Sequence, residues 1–234
     1  MIRIQKHLSL TGTISRREGV RLIKEGRITI NGVHATHTST VDQDSVVLLD
    51  GQPLKRKKCD IYLLLHKPVG ITSTAQKKVE GNIIDFLDFP ERIFPVGRLD
   101  KQSEGLILMT NDGDIVNKLM KSEFQHEKEY MVTVNRPFSD WFLEKMAEGV
   151  DILGQKTLPC QVERVSDDTF TIVLTQGLNR QIRRMTKVFD YRVERLIRIR
   201  ILDFSLDGLA PGEWRELTEE EVNQLKARLG STSS

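Results

Sequence analysis

A chain of 234 residues, 38% hydrophobic and 29% charged, is long enough to bury one sizeable core or a small domain beside a medium one. No apolar run reaches the roughly 18 residues of a membrane span, Met1-Ile2-Arg3 opens no secretory signal, and Cys59 and Cys160 lack CxxC spacing, which excludes a membrane partner, a disulfide framework and a cysteine zinc site and points to a reducing cytoplasm. The net charge of +2 is unevenly spread: eleven basic and five acidic residues through Lys58 make that part +6 and leave −4 for the rest, as in a polyanion-binding head on a larger body.

Ser15-Arg16-Arg17-Glu18 is a capping box that predicts a helix with Ser15 at its N-cap and a stop at Gly26. Val20 and Ile23 are expected on one side of it, and Arg17, Arg21 and Lys24 share another. A shorter preceding helix carries Arg3 and Lys6 beside apolar Ile4 and Leu8. Arg27-Ile28-Thr29-Ile30 leads into Asn31-Gly32, a two-residue hairpin signal, and Val46 to Leu49 reads as a strand closed by Asp50-Gly51. A lone helix with three cations reads most simply as a solvated face. The whole order of two short helices and a small sheet, however, resembles the S4 RNA-binding domain over roughly the first fifty residues. That resemblance implies an RNA-binding head over residues 1–56, with Arg3, Lys6, Arg16, Arg17, Arg21 and Lys24 towards RNA. Arg56-Lys57-Lys58 reads as the linker to a body over residues 57–234.

From Asp60 the strands lengthen. Ile61-Tyr62-Leu63-Leu64-Leu65 predicts a buried strand that His66-Lys67-Pro68-Val69-Gly70 turns out of, and Ile83 to Leu87 a short helix. An apolar run ends at Val96, Gly97-Arg98-Leu99-Asp100 puts an arginine and a carboxylate in a short loop, and a second apolar run follows from Leu106 to Met109. Lys128-Glu129-Tyr130 opens a strand ending near Val134. Ser139 caps a helix carrying Phe142, Leu143 and Met146 as far as Gly149, and Phe170 to Thr175 is another strand. A helix from about Asn179 to Phe189 turns Ile182, Met185 and Phe189 inward and Arg180, Arg184 and Lys187 to the opposing side, with Arg183 between the two faces. Arg198-Ile199-Arg200-Ile201 alternates in strand register, with both arginines on one face: either a second phosphate-contacting stripe or a solvated sheet face. Thr218-Glu219-Glu220-Glu221 is a second capping box, opening a last helix with Val222, Leu225 and Leu229 inward, and Gly230 to Ser234 is expected to fray. Strands and helices do not alternate as βαβ units, so the body is α+β.

A carboxylate at a strand end beside an arginine is a common way to build a catalytic acid, base or nucleophile, although an isolated Arg-Leu-Asp triplet also ties down loops. A tyrosine in a strand is usually a core residue, and an amphipathic basic helix a surface one. Taken together, Val96 to Gly113, Lys128-Glu129-Tyr130 and Gln176-Gly177-Leu178-Asn179-Arg180-Gln181-Ile182-Arg183-Arg184-Met185 resemble the motifs of RNA pseudouridine synthases of the RsuA/RluF type. The resemblance implies a mixed, largely antiparallel sheet in the body and a reaction that breaks the ribose C1′–uracil N1 bond and joins C1′ to C5. In it Asp100 is the catalytic carboxylate, Arg183 pairs with it, Tyr130 works at the uracil, and Ile182 packs near the tyrosine. Arg98, Asn179, Arg180 and Arg184 fall to RNA contact, with Arg98 suited to fill the gap left by a flipped base. The isomerisation loses no atom and involves no redox change, so no cofactor and no metal are expected. Asn111-Asp112-Gly113-Asp114 lacks the later ligands of a calcium loop.

Within the family, His126 to Tyr130 and Lys187 to Val193 look most like the F-type large-subunit branch, which implies a uridine of 23S rRNA as target, with 16S rRNA or tRNA as the alternatives, and a monomer as the working state. Two rivals remain: an S4-containing RNA-binding or assembly protein with an inactive body, and a glycosidase or sugar-phosphate enzyme using the same carboxylate chemistry.

Overall fold

A computed structural model describes residues 1–12, 14–54, 59–76, 78–120 and 126–230; the linker Arg56-Lys57-Lys58, the 56/57 boundary and residues 231–234 lie outside them. The chain divides into two compact units, residues 1–61 with 89–93 and 110–114, and the remainder.

In the first unit the helices Ile4–Leu10 and Arg16–Lys24 share a core of Ile4, Leu8, Leu22, Ile28 and Val41 with the small sheet. Ser15 Oγ accepts the Glu18 N–H at 3.1 Å, but the Glu18 carboxylate turns to Arg21 instead of returning to the N-cap, so half of the capping box is built. Asn31 and Gly32, both with positive φ, make the hairpin turn between Ile28–Ile30 and Val33–His34, where glycine carries no Cβ to clash. The four-strand order is Val33–His34, Ile28–Ile30, Val47–Leu49, Gln52–Pro53. Two expectations are corrected here. Val20 faces solvent, because the helix turns Gly19, Leu22 and Ile23 inward, with Gly19 set against Leu8. Arg3 belongs to the two-residue strand Ile2–Arg3, paired with Thr40–Val41, and only precedes the first helix.

The second unit is built on a mixed sheet in the order Gln161–Arg164, Thr169–Leu174, Lys128–Val134, Val193–Ile201, Glu104–Thr110, Tyr62–Lys67, Trp214–Glu216. Val193–Ile201 runs antiparallel to Lys128–Val134 and parallel to Glu104–Thr110, with Ile197 opposite Glu104 and Arg198 opposite Gly105. A Cβ at Gly105, whose φ is +113°, would lie 2.4 Å from the Arg198 carbonyl oxygen, so a glycine is what lets these strands meet. One core gathers Val132, Phe142, Phe170, Ile172 and Met185; another gathers Leu64, Leu106, Leu108, Leu225 and Leu229. The fold is therefore α+β.

The body also departs from expectation in four places. His66 and Lys67 continue the strand Tyr62–Lys67 rather than turning out of it, because Gly212 and Glu213 hydrogen-bond His66 on the neighbouring edge. Arg198 and Arg200 form neither a phosphate stripe nor a solvated face. Arg198 is 3% exposed with its Nε donating to the Leu106 carbonyl at 2.7 Å, and Arg200 donates to Glu129 at 2.8 Å and Glu127 at 3.1 Å. A helix, Gly113–Met120, follows Asp112, whose Oδ1 accepts the Asp114 N–H at 3.0 Å in the manner of a cap. Gly230, expected in a frayed tail, is the last residue of the helix Glu219–Gly230.

Candidate active site

The loop carrying Asp100 leaves the strand Phe94–Val96 and is held from behind. Ser73 Oγ, buried, donates to the Leu99 carbonyl at 2.9 Å and accepts the Leu99 N–H at 3.2 Å. Leu99 is thereby drawn into the interior, which leaves Arg98 exposed and Asp100 half-buried on its flanks. The Ser103 N–H donates to the Asp100 carbonyl at 3.0 Å, closing a turn into Glu104–Thr110, and the Gly70 N–H donates to the Lys101 carbonyl at 2.7 Å.

Tyr130 is the third residue of Lys128–Val134, between Ile172 and Arg198 on the flanking strands, where the pairing with Val193–Ile201 shifts register. The third segment is a helix, Gln181–Val188, shorter than the expected 179–189; Arg180 sits at its N-cap with φ +50°. Arg98, Asp100, Tyr130, Ile182, Arg180 and Arg183 all line one cavity of about 120 Å³, room for a single ring-sized group.

The expected ion pair of Arg183 with Asp100 is not formed. Arg183 Nη2 donates to the Gln102 carbonyl at 3.0 Å and Ser103 Oγ at 3.3 Å, and Nη1 to the Val193 carbonyl at 3.2 Å. The guanidinium thus ties the turn after Asp100 to the strand bearing Leu196, because two backbone carbonyls lie closer to it than the carboxylate. Burial, then the charge of Arg180, lower the Arg183 pKa, and the charge of Asp100 opposes this. Its Nε is buried without a hydrogen-bond partner.

The remaining candidates divide. Arg184 donates to the Asn179 carbonyl at 2.9 Å and side chain at 3.1 Å, so these two hold each other. Arg16, Arg17 and Lys24 are exposed on the first unit, whereas Arg21 is engaged by Glu18 and Glu25 and Lys6 pairs with Asp114 at 3.0 Å. Three further ionisable groups of this unit were given no role of their own from the sequence. Lys67 is fully buried, its Nζ donating to the Pro68 and Ile71 carbonyls at 2.8 and 2.9 Å; burial and then Arg198 push its pKa down to about 8, against the pull of Glu104 and Asp100. Lys128 is pushed to about 8 by burial and then Arg198. Glu104, almost wholly buried, holds the exposed Arg195 through Nε at 2.6 Å. A Lys-Pro pair at the end of an apolar strand was the available signal for Lys67; nothing local marks Ser73 or Glu104. Among the described residues no group of three or more His, Cys, Asp or Glu is arranged to hold a metal, and no helix is long and apolar enough to cross a membrane.

Comparison with known proteins identifies the family. The model of the RNA pseudouridylate synthase family matches residues 61–187. The chain is 44% identical over 235 residues to the dual-specificity RNA pseudouridine synthase RluF of Escherichia coli, covering 100% of this chain and 81% of that one. It is 36% identical over 236 residues to ribosomal large subunit pseudouridine synthase B of Bacillus subtilis, covering 97% and 96%. A crystal structure of a pseudouridylate synthase superposes with a TM-score of 0.71 at 26% identity, covering 96% of this chain and 100% of the other.

Proposed function

Since the chain belongs to the RNA pseudouridylate synthase family and is an RNA pseudouridine synthase similar to RluF, we propose that Asp100 carries the reaction, on a uridine of 23S rRNA with tRNA as a second substrate. The single observation that supports this reading is the meeting of Asp100, Tyr130 and Arg183, from three separate segments, at one cavity of about 120 Å³.

In this reading the target uridine leaves its stack, at a cost of a few kcal/mol, and enters the cavity while Arg98 takes its place. As the C1′–N1 bond breaks, positive character grows on the sugar, and the Asp100 carboxylate stabilises it at C1′. The uracil turns, C1′ bonds to C5, N1 takes up a proton, and the C5 proton leaves to a base at Tyr130. Arg183 acts as a positioning residue: it fixes the backbone of Gln102 and Ser103, so the carboxylate keeps its place. Acid, base and cation suffice because the change is redox-neutral. The first unit acts as an S4-type head over residues 1–56, with Arg3, Arg16, Arg17 and Lys24 against phosphates, and the rest, from 57, as the catalytic body of a monomer. The name of one relative, a ribosomal large subunit pseudouridine synthase, supports the rRNA target, and that of another, a dual-specificity RNA pseudouridine synthase, is in keeping with a second RNA.

The test is incubation with unmodified 23S rRNA followed by carbodiimide-block primer extension, with Asp100→Ala in parallel. One new stop, absent with the variant while its RNA affinity stays within about threefold, is the expected result. Equal turnover by Asp100→Ala removes the carboxylate from the mechanism, and silence of the wild-type protein on 23S rRNA and tRNA removes the targets.

A further inference from the structure

Beside the uridine cavity lies a second, larger cleft of about 800 Å³, whose wall includes Glu104, Arg180, Arg183, Lys187, Arg192 and Arg195. Arg180, Arg183 and Leu196 line both spaces, so the two are neighbours across a shared rim. We propose that this cleft is the subsite for the ribose-phosphate backbone of the strand on one side of the target uridine, and that Arg195, held by buried Glu104, is a phosphate-binding residue there. The proposal rests on the pseudouridine synthase reading and adds to it a site, two residues and a division of labour.

Three observations carry it. The uridine cavity has room for one ring, so the chain to which that nucleotide belongs must continue outside it, over a rim made of two guanidinium groups. Five cations stand in the wall of the cleft against Glu104, Asp190 and Glu194, an excess suited to a polyanion rather than to a neutral ligand. The third concerns geometry. The Glu104 side chain is 9% exposed and that of Arg195 60%, so the carboxylate is fixed in the protein and grips the guanidinium by its Nε. The Arg195 side chain is otherwise largely exposed and is held through its Nε. An arginine prepared in this way loses little freedom on meeting a phosphate, which it engages through two parallel N–H donors. Glu104 lies four residues beyond Asp100 and Ser103 holds Arg183, so one turn of chain sets the carboxylate, the shared rim and the phosphate contact together. Glu104 is then a positioning residue, acting through Arg195.

The test uses the full chain and an in-vitro 23S rRNA transcript free of pseudouridine, with filter binding over a range of KCl concentrations. Each phosphate contact removed lowers the slope of log Kd against log salt by about 0.7 to 0.9. Arg195→Ala is expected to lose one such step, to raise KM about tenfold and to leave kcat within about twofold. Glu104→Gln is expected to raise KM in the same direction at unchanged kcat, and Arg195→Lys to restore the slope but only part of KM, because lysine keeps the charge and lacks the fork. Lys145→Ala, a cation paired with Glu148 on another helix, is expected to alter none of these. An unchanged slope and KM in Arg195→Ala, or an equal change in Lys145→Ala, overturns the assignment; so does failure of the wild-type protein to bind the transcript. Pseudouridine formation by the wild type is read separately. Conversion with an unmoved Arg195→Ala slope sinks the cleft and spares the proposed function. The expected slope change without conversion on 23S rRNA or tRNA sinks the target assignment and spares the cleft.

Discussion

One hydroxyl, that of Ser73, satisfies both backbone groups of Leu99, the residue between Arg98 and Asp100. Its loss leaves a buried N–H and C=O unpaired, which costs about 2 kcal/mol. Ser73→Ala is therefore expected to lower the urea midpoint and, through a looser Asp100 loop, to reduce kcat about tenfold at a KM within about twofold. Denaturation and steady-state kinetics on the same preparation check both; an unchanged kcat would show that the hydroxyl serves stability alone. Asp100 could be picked out in the sequence because its neighbours in the chain are also its neighbours in the motif. Ser73 could not: its partner is 26 residues away, and what it binds is backbone, which leaves no trace in residue type. Lys67 was hidden for a related reason, since its burial is decided by strands that lie far off in the sequence.

Where a capping box marked it, a helix start was legible because a cap is local chemistry. At the last helix the Thr218 hydroxyl accepts the Glu221 N–H at 3.2 Å while the Glu221 carboxylate accepts the Thr218 N–H at 2.8 Å and binds Arg215 at 2.7 Å. The hydrogen bond from Arg215 foremost, aided by the Thr218 backbone, holds the Glu221 pKa at about 2 against an ordinary 4.5. A carboxyl with a depressed pKa contributes its stabilisation fully above pH 4.5 and loses it as pH falls towards 2. Glu221→Gln is thus expected to melt a few degrees below the wild type at pH 7, with the gap closing progressively below about pH 4.5; thermal melts at pH 7, 5 and 3.5 check it, and a gap independent of pH would assign the loss to packing. The arginines of Val193–Ile201 were not legible. Alternation says that Arg198 and Arg200 share a side, yet the sheet is covered on both sides there and a register shift intervenes at Tyr130, so the pattern alone cannot say which side meets water.

For the whole molecule, the proposed division at residue 56 makes a prediction about independence. The bonds that anchor the chain just beyond it, Thr110 Oγ to the Ile61 carbonyl at 2.6 Å, the Ile61 N–H to Asn111 at 3.0 Å and Asn111 to the Cys59 carbonyl at 3.0 Å, all involve residues that a truncation at 56 retains. The shortened chain is expected to keep a cooperative melt by circular dichroism while its affinity for structured RNA falls by about tenfold or more, with a shallower salt slope; loss of the melt would move the boundary. The parallel contact of Glu104 with Ile197 joins segments more than ninety residues apart and completes the cavity from both sides. Loops of that length close late, after hairpins and helices have formed. During synthesis at roughly 5–20 residues per second, Asp100 emerges some 5–20 s before Leu196. A growing chain on the ribosome therefore carries its carboxylate with no pocket to use it in until the strand bearing Leu196 has followed.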